Sequence, residues 1–277
     1  MVQIITDTSA LFTPEQGRQM GFDVMPLCVS VGDLEGRDLA MDMREFYARI
    51  DRGEIPQSSQ PPIGEVLDMY EKYADREVIN ITMADGLSGT YQSACGVKEM
   101  VDNGDSVHVF NSKTLCGPHR YMVEKAQKLA DEGKTAEEIL SWLDYASNHN
   151  VSYLIPQDFG FLKRGGRLTP MAATLGSVLK LKPIMTQVDH GRRLDKLGVK
   201  RTMKSALSAV AEQMKKNGVD ERHIVYVSHA DALPDALFAV DTLKSSFPKT
   251  EVRLLDLSPA FVTQGGPKCV AIQYIER

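Results

Sequence analysis

The stretch Ala84-Asp85-Gly86-Leu87-Ser88-Gly89-Thr90-Tyr91 sets a serine between glycines, directly after the apolar run Val78-Ile79-Asn80-Ile81-Thr82-Met83. Ala94, Val97 and Val101 then follow at helical spacing. A strand that turns sharply into a helix leaves the first amide N–H groups of that helix without internal acceptors, pointing outward with partial positive charge. A carboxylate or a phosphate fits such a place. Gly86 and Gly89 allow close approach to the backbone, while Ser88 and Thr90 each offer a hydroxyl. Ser88 takes the N-cap position in this reading, and the same residues also suit an ordinary serine cap with no ligand.

Two more small polar clusters, Asp7-Thr8-Ser9 and Asn111-Ser112, follow strand-like runs. In open α/β sheets ligands settle outside the carboxyl ends of strands, so these clusters and the Ser88 turn are expected to converge on one crevice. In Gln57-Ser58-Ser59-Gln60-Pro61-Pro62 the prolines stiffen the chain, and Ser58 and Ser59 can face that crevice; a polar loop leading into a helix is the other reading. Phe161-Leu162-Lys163-Arg164-Gly165-Gly166-Arg167-Leu168-Thr169 places three cations around two glycines. There Arg167 can turn inward as a donor to an anion, or the whole segment can be a solvated surface loop. His229-Ala230-Asp231 suits a hydrogen-bonded pair or, more simply, a loop cap. The six histidines include no H-E-x-x-H and no helical pair, so no metal is expected, and neither a G-x-S-x-G elbow nor a P-loop occurs.

These groups must be held by strands and helices in alternation. Strand-like runs at Val2 to Thr6, Val24 to Val31, Val78 to Met83, Val107 to Phe110 and Val151 to Ile155 are separated by helical periodicity, which predicts a largely parallel sheet. Thr135 and Glu138 have capping-box spacing, and the helix they open carries Ile139, Trp142, Leu143 and Ala146 on one face, which predicts Trp142 in the core. Beyond Pro156 the pattern changes to the glycine-rich loop, a helix near Met171 to Leu179, and a strand from Leu181 to Gln187 with a hairpin turn at Asp189-His190-Gly191-Arg192. A long helix from Thr202 to Lys216, a strand Ile224 to Val227, a helix from Pro234 and strands near Val252 to Leu257 and Val270 to Tyr274 complete the chain. The domain boundary falls near Gln157, giving 1–157 and 158–277.

At 277 residues, two α/β domains or one large domain can bury a substantial core. A formal charge of -5 with interspersed signs provides no broad positive field, so nucleic acid is not an expected partner. Lys196, Lys200, Arg201 and Lys204 can form a basic patch suited to an acidic partner surface or, more simply, a solvated face. Cys28, Cys95, Cys116 and Cys269 are far apart with no C-x-x-C pair, as in a protein of reduced thiols. No basic leader or uninterrupted apolar stretch of membrane-spanning length is evident, and a cytoplasmic protein without an integral membrane segment is expected.

Taken in order, Ile4-Ile5-Thr6-Asp7-Thr8-Ser9, Gly36-Arg37-Asp38-Leu39, Glu45-Phe46-Tyr47, Ser59-Gln60-Pro61, Leu87-Ser88-Gly89-Thr90-Tyr91-Gln92-Ser93-Ala94, Leu162 to Leu168, Leu181-Lys182-Pro183-Ile184 and Arg201-Thr202 resemble the DegV family over nearly the whole chain. The resemblance implies a two-domain α/β fold, with a parallel-sheet N-terminal domain, an α/β C-terminal domain, and a ligand tunnel between or beside them. It also implies binding of a long-chain fatty acid with no cofactor. Some members are the acyl-carrying subunit of a bacterial fatty acid kinase, a role in phospholipid metabolism, with ATP chemistry left to a separate kinase subunit. On this resemblance Ser88 and the hydroxyl of Ser58 or Ser59 hold the carboxylate, Gly89 and Thr90 complete the turn, and the helix after Arg167 helps line the tunnel.

Three positions depart from the family pattern: Gln264 where histidine is common before the late Gly-Pro motif, Asn111 for aspartate, and Ser58 for threonine. Glutamine donates a hydrogen bond but cannot become a cation. The expected function is therefore a lipid-binding subunit without its own complete catalytic apparatus, with Ser58, Ser59, Ser88, Gly89, Thr90, Arg167 and Gln264 as ligand contacts. The alternative is an enzyme or sensor acting on a small phosphorylated or other acidic lipid-like ligand.

Overall fold

The computed structural model describes residues 2–174 and 181–277. The chain separates into two compact units, Met1–Asn148 with Ser258–Ala260, and His149–Leu257 with Phe261–Arg277. Of the helix expected from Met171 to Leu179, Pro170–Ala173 is helical and residues 175–180 lie outside the described residues.

The first unit contains β1 (Gln3–Asp7), β2 (Asp23–Met25), β3 (Cys28–Val31), β4 (Leu34–Arg37), β5 (Pro56–Ser59), β6 (Val78–Thr82) and β7 (Val107–Asn111). A parallel sheet in the order β2-β1-β6-β7 meets the expectation from the sequence, and every residue of β6 is buried, as a sheet covered on both faces requires. Ile5, Val78 and Val107 from the strands pack with Val66, Tyr70 and Val97 from the helices.

The run from Val24 to Val31, read as one strand, is two. β2 joins the parallel sheet, whereas β3 is the centre of a small antiparallel sheet, β4-β3-β5. Pro26 interrupts the run because it has no N–H for a ladder, and the amide of Leu27 donates instead to Thr8 Oγ1 at 3.1 Å.

Thr135 and Glu138 form the capping box in both directions, Thr135 N to Glu138 Oε2 at 2.9 Å and Glu138 N to Thr135 Oγ1 at 3.3 Å. On that helix Ile139, Leu143 and Ala146 are buried. Trp142 is only half-buried, contrary to expectation, with its ring edge-on to Tyr121 at 6.0 Å between centroids. The indole is large enough to reach the rim while its smaller neighbours fill the interior.

The second unit holds β8 (Asn150–Ile155), β9 (Lys182–Val188), β10 (Arg193–Lys200), β11 (His223–His229), β12 (Glu251–Asp256) and β13 (Val270–Glu276) in the order β10-β9-β8-β13-β11-β12. Only the β11–β12 pair is parallel among its described pairings. β8, read from the sequence among the parallel strands, is thus the antiparallel neighbour of β9 and β13. A buried apolar strand looks alike in either sheet, so periodicity cannot assign its partner. The β9–β10 hairpin turns where expected, with positive φ at Asp189, His190 and Gly191. The helices Met203–Lys216 and Leu233–Ser246 bury Leu207, Val210, Ala236 and Leu243 in a core shared with Val225, Val227 and Ile272.

Candidate functional site

The Ser88 turn lies between β6 and the helix Thr90–Lys98. The N-cap position belongs to Gly89, not to Ser88, and Gly89 makes no side-chain cap bond. Ser88, one residue earlier, satisfies one amide of the helix start: its Oγ accepts from Thr90 N at 3.2 Å and lies 2.8 Å from Thr90 Oγ1. The amides of Gly89, Tyr91 and Gln92 have no acceptor among the described residues. Ser88 is half-buried, Gly89 exposed and Thr90 buried. Outward amides beside a hydroxyl make this turn chemically suited to an anionic oxygen ligand.

Ser58 and Ser59 are adjacent in β5 and therefore point to opposite faces of the small sheet. Ser59 stands in one cross-strand row with Cys28 and Arg37, and Gln57 in the next with Ser30 and Glu35. Along this sheet runs a cavity of about 470 Å³ whose lining includes Ser58 and Ser59; there Arg37 Nη1 donates to Cys28 Sγ at 3.0 Å and Arg37 pairs with Glu65. Alternation turns the side chains of Ser58 and Ser59 to opposite faces, and Gln60 follows just past the strand. The carboxamide of Gln60 reaches the Ser88 turn: a Cβ on Gly89 would stand 2.6 Å from Gln60 Oε1. The structure thus brings Gln60 to Gly89 of the Ser88 turn, while Ser58 and Ser59 both line the cavity along the small sheet.

The hydroxyls of Asp7-Thr8-Ser9 and Asn111-Ser112 do gather at the same end of the parallel sheet, but as internal bonds. Asp7 accepts from Ser9 N at 2.8 Å and from Met83 N at 3.3 Å, and Ser112 Oγ donates to Thr114 O at 3.2 Å. His119, which sequence reasoning missed, is fully buried beneath them. Its Nε2 lies 3.1 Å from the carbonyl of Ile81, which can only accept, so Nε2 carries the proton and Nδ1 accepts from Ser9 Oγ at 2.9 Å. Burial holds the imidazole below its ordinary pKa.

Asp38 is a second buried polar residue that the sequence did not single out. It is 1 % exposed, burial pushes its carboxyl above the ordinary range, and its Oδ1 accepts from Ala260 N at 3.0 Å. Nothing in the local sequence signals this partner, because 222 positions separate the two residues.

In the second unit, residues 161–165 are not loop. Phe159–Gly165 is helical, capped by Asp158 through Gly160 N at 2.7 Å and closed by Gly166 in the left-handed region. Arg167 folds back so that Nη1 donates to the carbonyl of Gly165. Gln264 comes to the same glycine from the other direction, with Nε2 donating to Thr263 Oγ1 at 3.2 Å and its carboxamide oxygen where a Cβ on Gly165 would be. Arg167 and Gln264, 97 positions apart by number, are therefore neighbours around one residue.

His229 and Asp231 do not pair. His229 Nδ1 accepts from Ala232 N at 3.3 Å as a loop cap, and Asp231 pairs with Lys268. Lys196, Lys200, Arg201 and Lys204 are all exposed. Among the described residues no cluster of side chains suited to a metal is present, and no helix is long and apolar enough to cross a membrane. The four cysteines are free thiols.

Fold and turn define a mixed α/β protein of two compact units, one built on a parallel sheet. The chain belongs to the DegV family: the family model described as an uncharacterised protein of that family matches residues 1–277. A DegV domain-containing protein of Halalkalibacterium halodurans is 30% identical over 283 residues, covering 100% of this chain and 99% of that protein. A crystal structure of DegV from Bacillus subtilis, described as a fatty acid binding protein, superposes with a TM-score of 0.86 at 28% identity, covering 100% of this chain and 99% of that one. A DegV family protein from Thermus thermophilus, whose structure is described by its fatty acid binding, shares the fold with a TM-score of 0.89 at 23% identity and the same coverage.

Proposed function

We propose that this protein binds a long-chain fatty acid and presents its carboxylate to a partner kinase, which forms the acyl phosphate. The observation that carries the reading is the Ser88 turn, a half-buried hydroxyl beside outward amides, in a chain whose relative from Bacillus subtilis is described as a fatty acid binding protein. In the first unit Ser58, Ser88, Gly89 and Thr90 hold the carboxylate. In the second, Arg167 and Gln264 are the proposed polar contacts, and residues 158–277 line the acyl pocket.

The division of labour follows from magnitudes. Burying a chain of about sixteen carbons at about 0.8 kcal/mol per methylene yields roughly 12 kcal/mol before ordering costs. A hydrogen bond to a charged head group adds only about 1.5 to 3 kcal/mol. The tail sets affinity and the turn sets orientation. An oriented carboxylate is what phosphoryl transfer needs: one oxygen attacks the terminal phosphorus of the kinase's nucleotide and the diphosphate leaves. The protein itself contributes no phosphoryl-transfer chemistry in this reading and works in the cytoplasm without a cofactor.

Organic extraction of the purified protein followed by mass spectrometry tests the reading. One fatty acid per chain is the expected result, and a ligand-free protein that also takes up no added palmitate or oleate overturns it.

A further inference from the structure

We infer that Gln60 is the residue that makes the Ser88 turn selective for an acidic head group, by lending its carboxamide N–H as a donor beside Ser88; this rests on the fatty acid reading above. Gly89 provides the first reason. Its φ of -75° is one that any residue adopts, so backbone conformation does not require glycine there. What a side chain there would displace is the carboxamide of Gln60, whose oxygen lies 2.6 Å from where a Cβ would be.

The second reason is how firmly the chain presents Gln60. Pro61 is buried, and Pro62 is the N-cap residue of the helix Ile63–Lys72, where it offers no side-chain cap bond. Two consecutive prolines limit the backbone freedom of the segment directly after Gln60. On the other side β5 fixes the approach through its pairing with β3.

The third reason is that the carboxamide has a spare donor. Gln60 is half-buried and forms no side-chain hydrogen bond among the described residues. A carboxamide carries two N–H donors and one acceptor, so without a protein partner its donors are available to solvent or to a ligand. With its oxygen directed at Gly89, the amide nitrogen is the end left to meet a ligand oxygen. Ser58 lies on the same side of β5 and Ser88 across the turn, so the three side chains are neutral donors rather than a cation. Such a set favours a carboxylate through hydrogen bonds alone.

Two substitutions with opposed logic test this. Gln60→Glu keeps the shape but replaces a donor by a carboxylate, which repels an acid and not an alcohol. Palmitate affinity is expected to fall at least tenfold while hexadecanol affinity changes less than threefold. Gly89→Ala is expected to weaken palmitate binding about tenfold in the native background and to have little effect once Gln60→Ala has removed the obstruction. Equal losses for acid and alcohol, or a Gly89→Ala effect that persists in the Gln60→Ala background, overturn the assignment. If the unsubstituted protein binds neither lipid, the fatty acid reading itself fails. If it binds palmitate and Gln60→Glu binds it equally well, only the role of Gln60 fails.

Discussion

The carboxamide oxygen of Gln264 occupies the place where a Cβ on Gly165 would be, and the carbonyl of the same Gly165 accepts from Arg167. The last residue of a short helix thus doubles as the platform on which two proposed ligand contacts meet.

That relationship predicts a conditional effect. Alanine in place of a helical glycine normally stabilises by about 0.5 to 1 kcal/mol. Gly165→Ala is expected to show that gain in a Gln264→Ala background and to lose or reverse it in the native background. Urea unfolding of the four proteins in the cycle measures the difference. Equal gains in both backgrounds would show that Gln264 does not press on Gly165.

A second prediction concerns charge. Glutamine at position 264 cannot titrate, whereas histidine changes charge near its ordinary pKa of about 6.5. Palmitate binding by Gln264→His is expected to strengthen relative to the native protein as pH falls from 8 to 5.5, and the ratio of the two affinities reads the effect directly. A ratio that stays flat places Gln264 away from the head group.

Asp38 gives a prediction in the opposite pH direction. Burial raises its folded pKa above the ordinary 3.8, so the native state holds this proton more tightly than the unfolded chain does. Below 3.8 both states are protonated and the residue carries no penalty; as pH rises from there to the folded pKa, the unfolded chain ionises first and native stability declines. Asp38→Asn keeps an acceptor for Ala260 N and removes the ionisation. Its Tm is expected to exceed that of the native protein at pH 7 and to approach it as pH falls toward 4. A lower Tm at pH 7 would mean that the ionised carboxylate is needed.

The Thr135–Glu138 capping box is a purely structural check. Thr135→Ala is expected to cost about 1 kcal/mol in urea unfolding, with fatty acid binding unchanged. A change in palmitate affinity at constant lipid concentration would tie that helix to the ligand.

Much of the architecture was legible because its signals are local. The apolar run of β6, the Thr135 cap and the β9–β10 turn each lie within a few residues. What could not be read depends on distant partners. Pro26 splits a run that hydrophobicity alone presents as continuous, and β8 joins an antiparallel sheet that only the positions of β9 and β13 decide. Ser88 was legible as a helix-start residue, yet the cap position falls on Gly89 because the turn is one residue longer. Ser58 and Ser59 were alike in the sequence, and only strand alternation turns their side chains to opposite faces of the small sheet. The partnership of Asp38 with Ala260 leaves no trace in either local segment.

Calorimetric titration of delipidated protein with palmitate, beside Ser88→Ala, tests the central claim most directly. The expected result is saturable binding at one fatty acid per chain, weakened about tenfold or more in Ser88→Ala, with hexadecanol bound similarly by both proteins. Absence of saturable palmitate binding, or equal palmitate affinity in the two proteins, would contradict it.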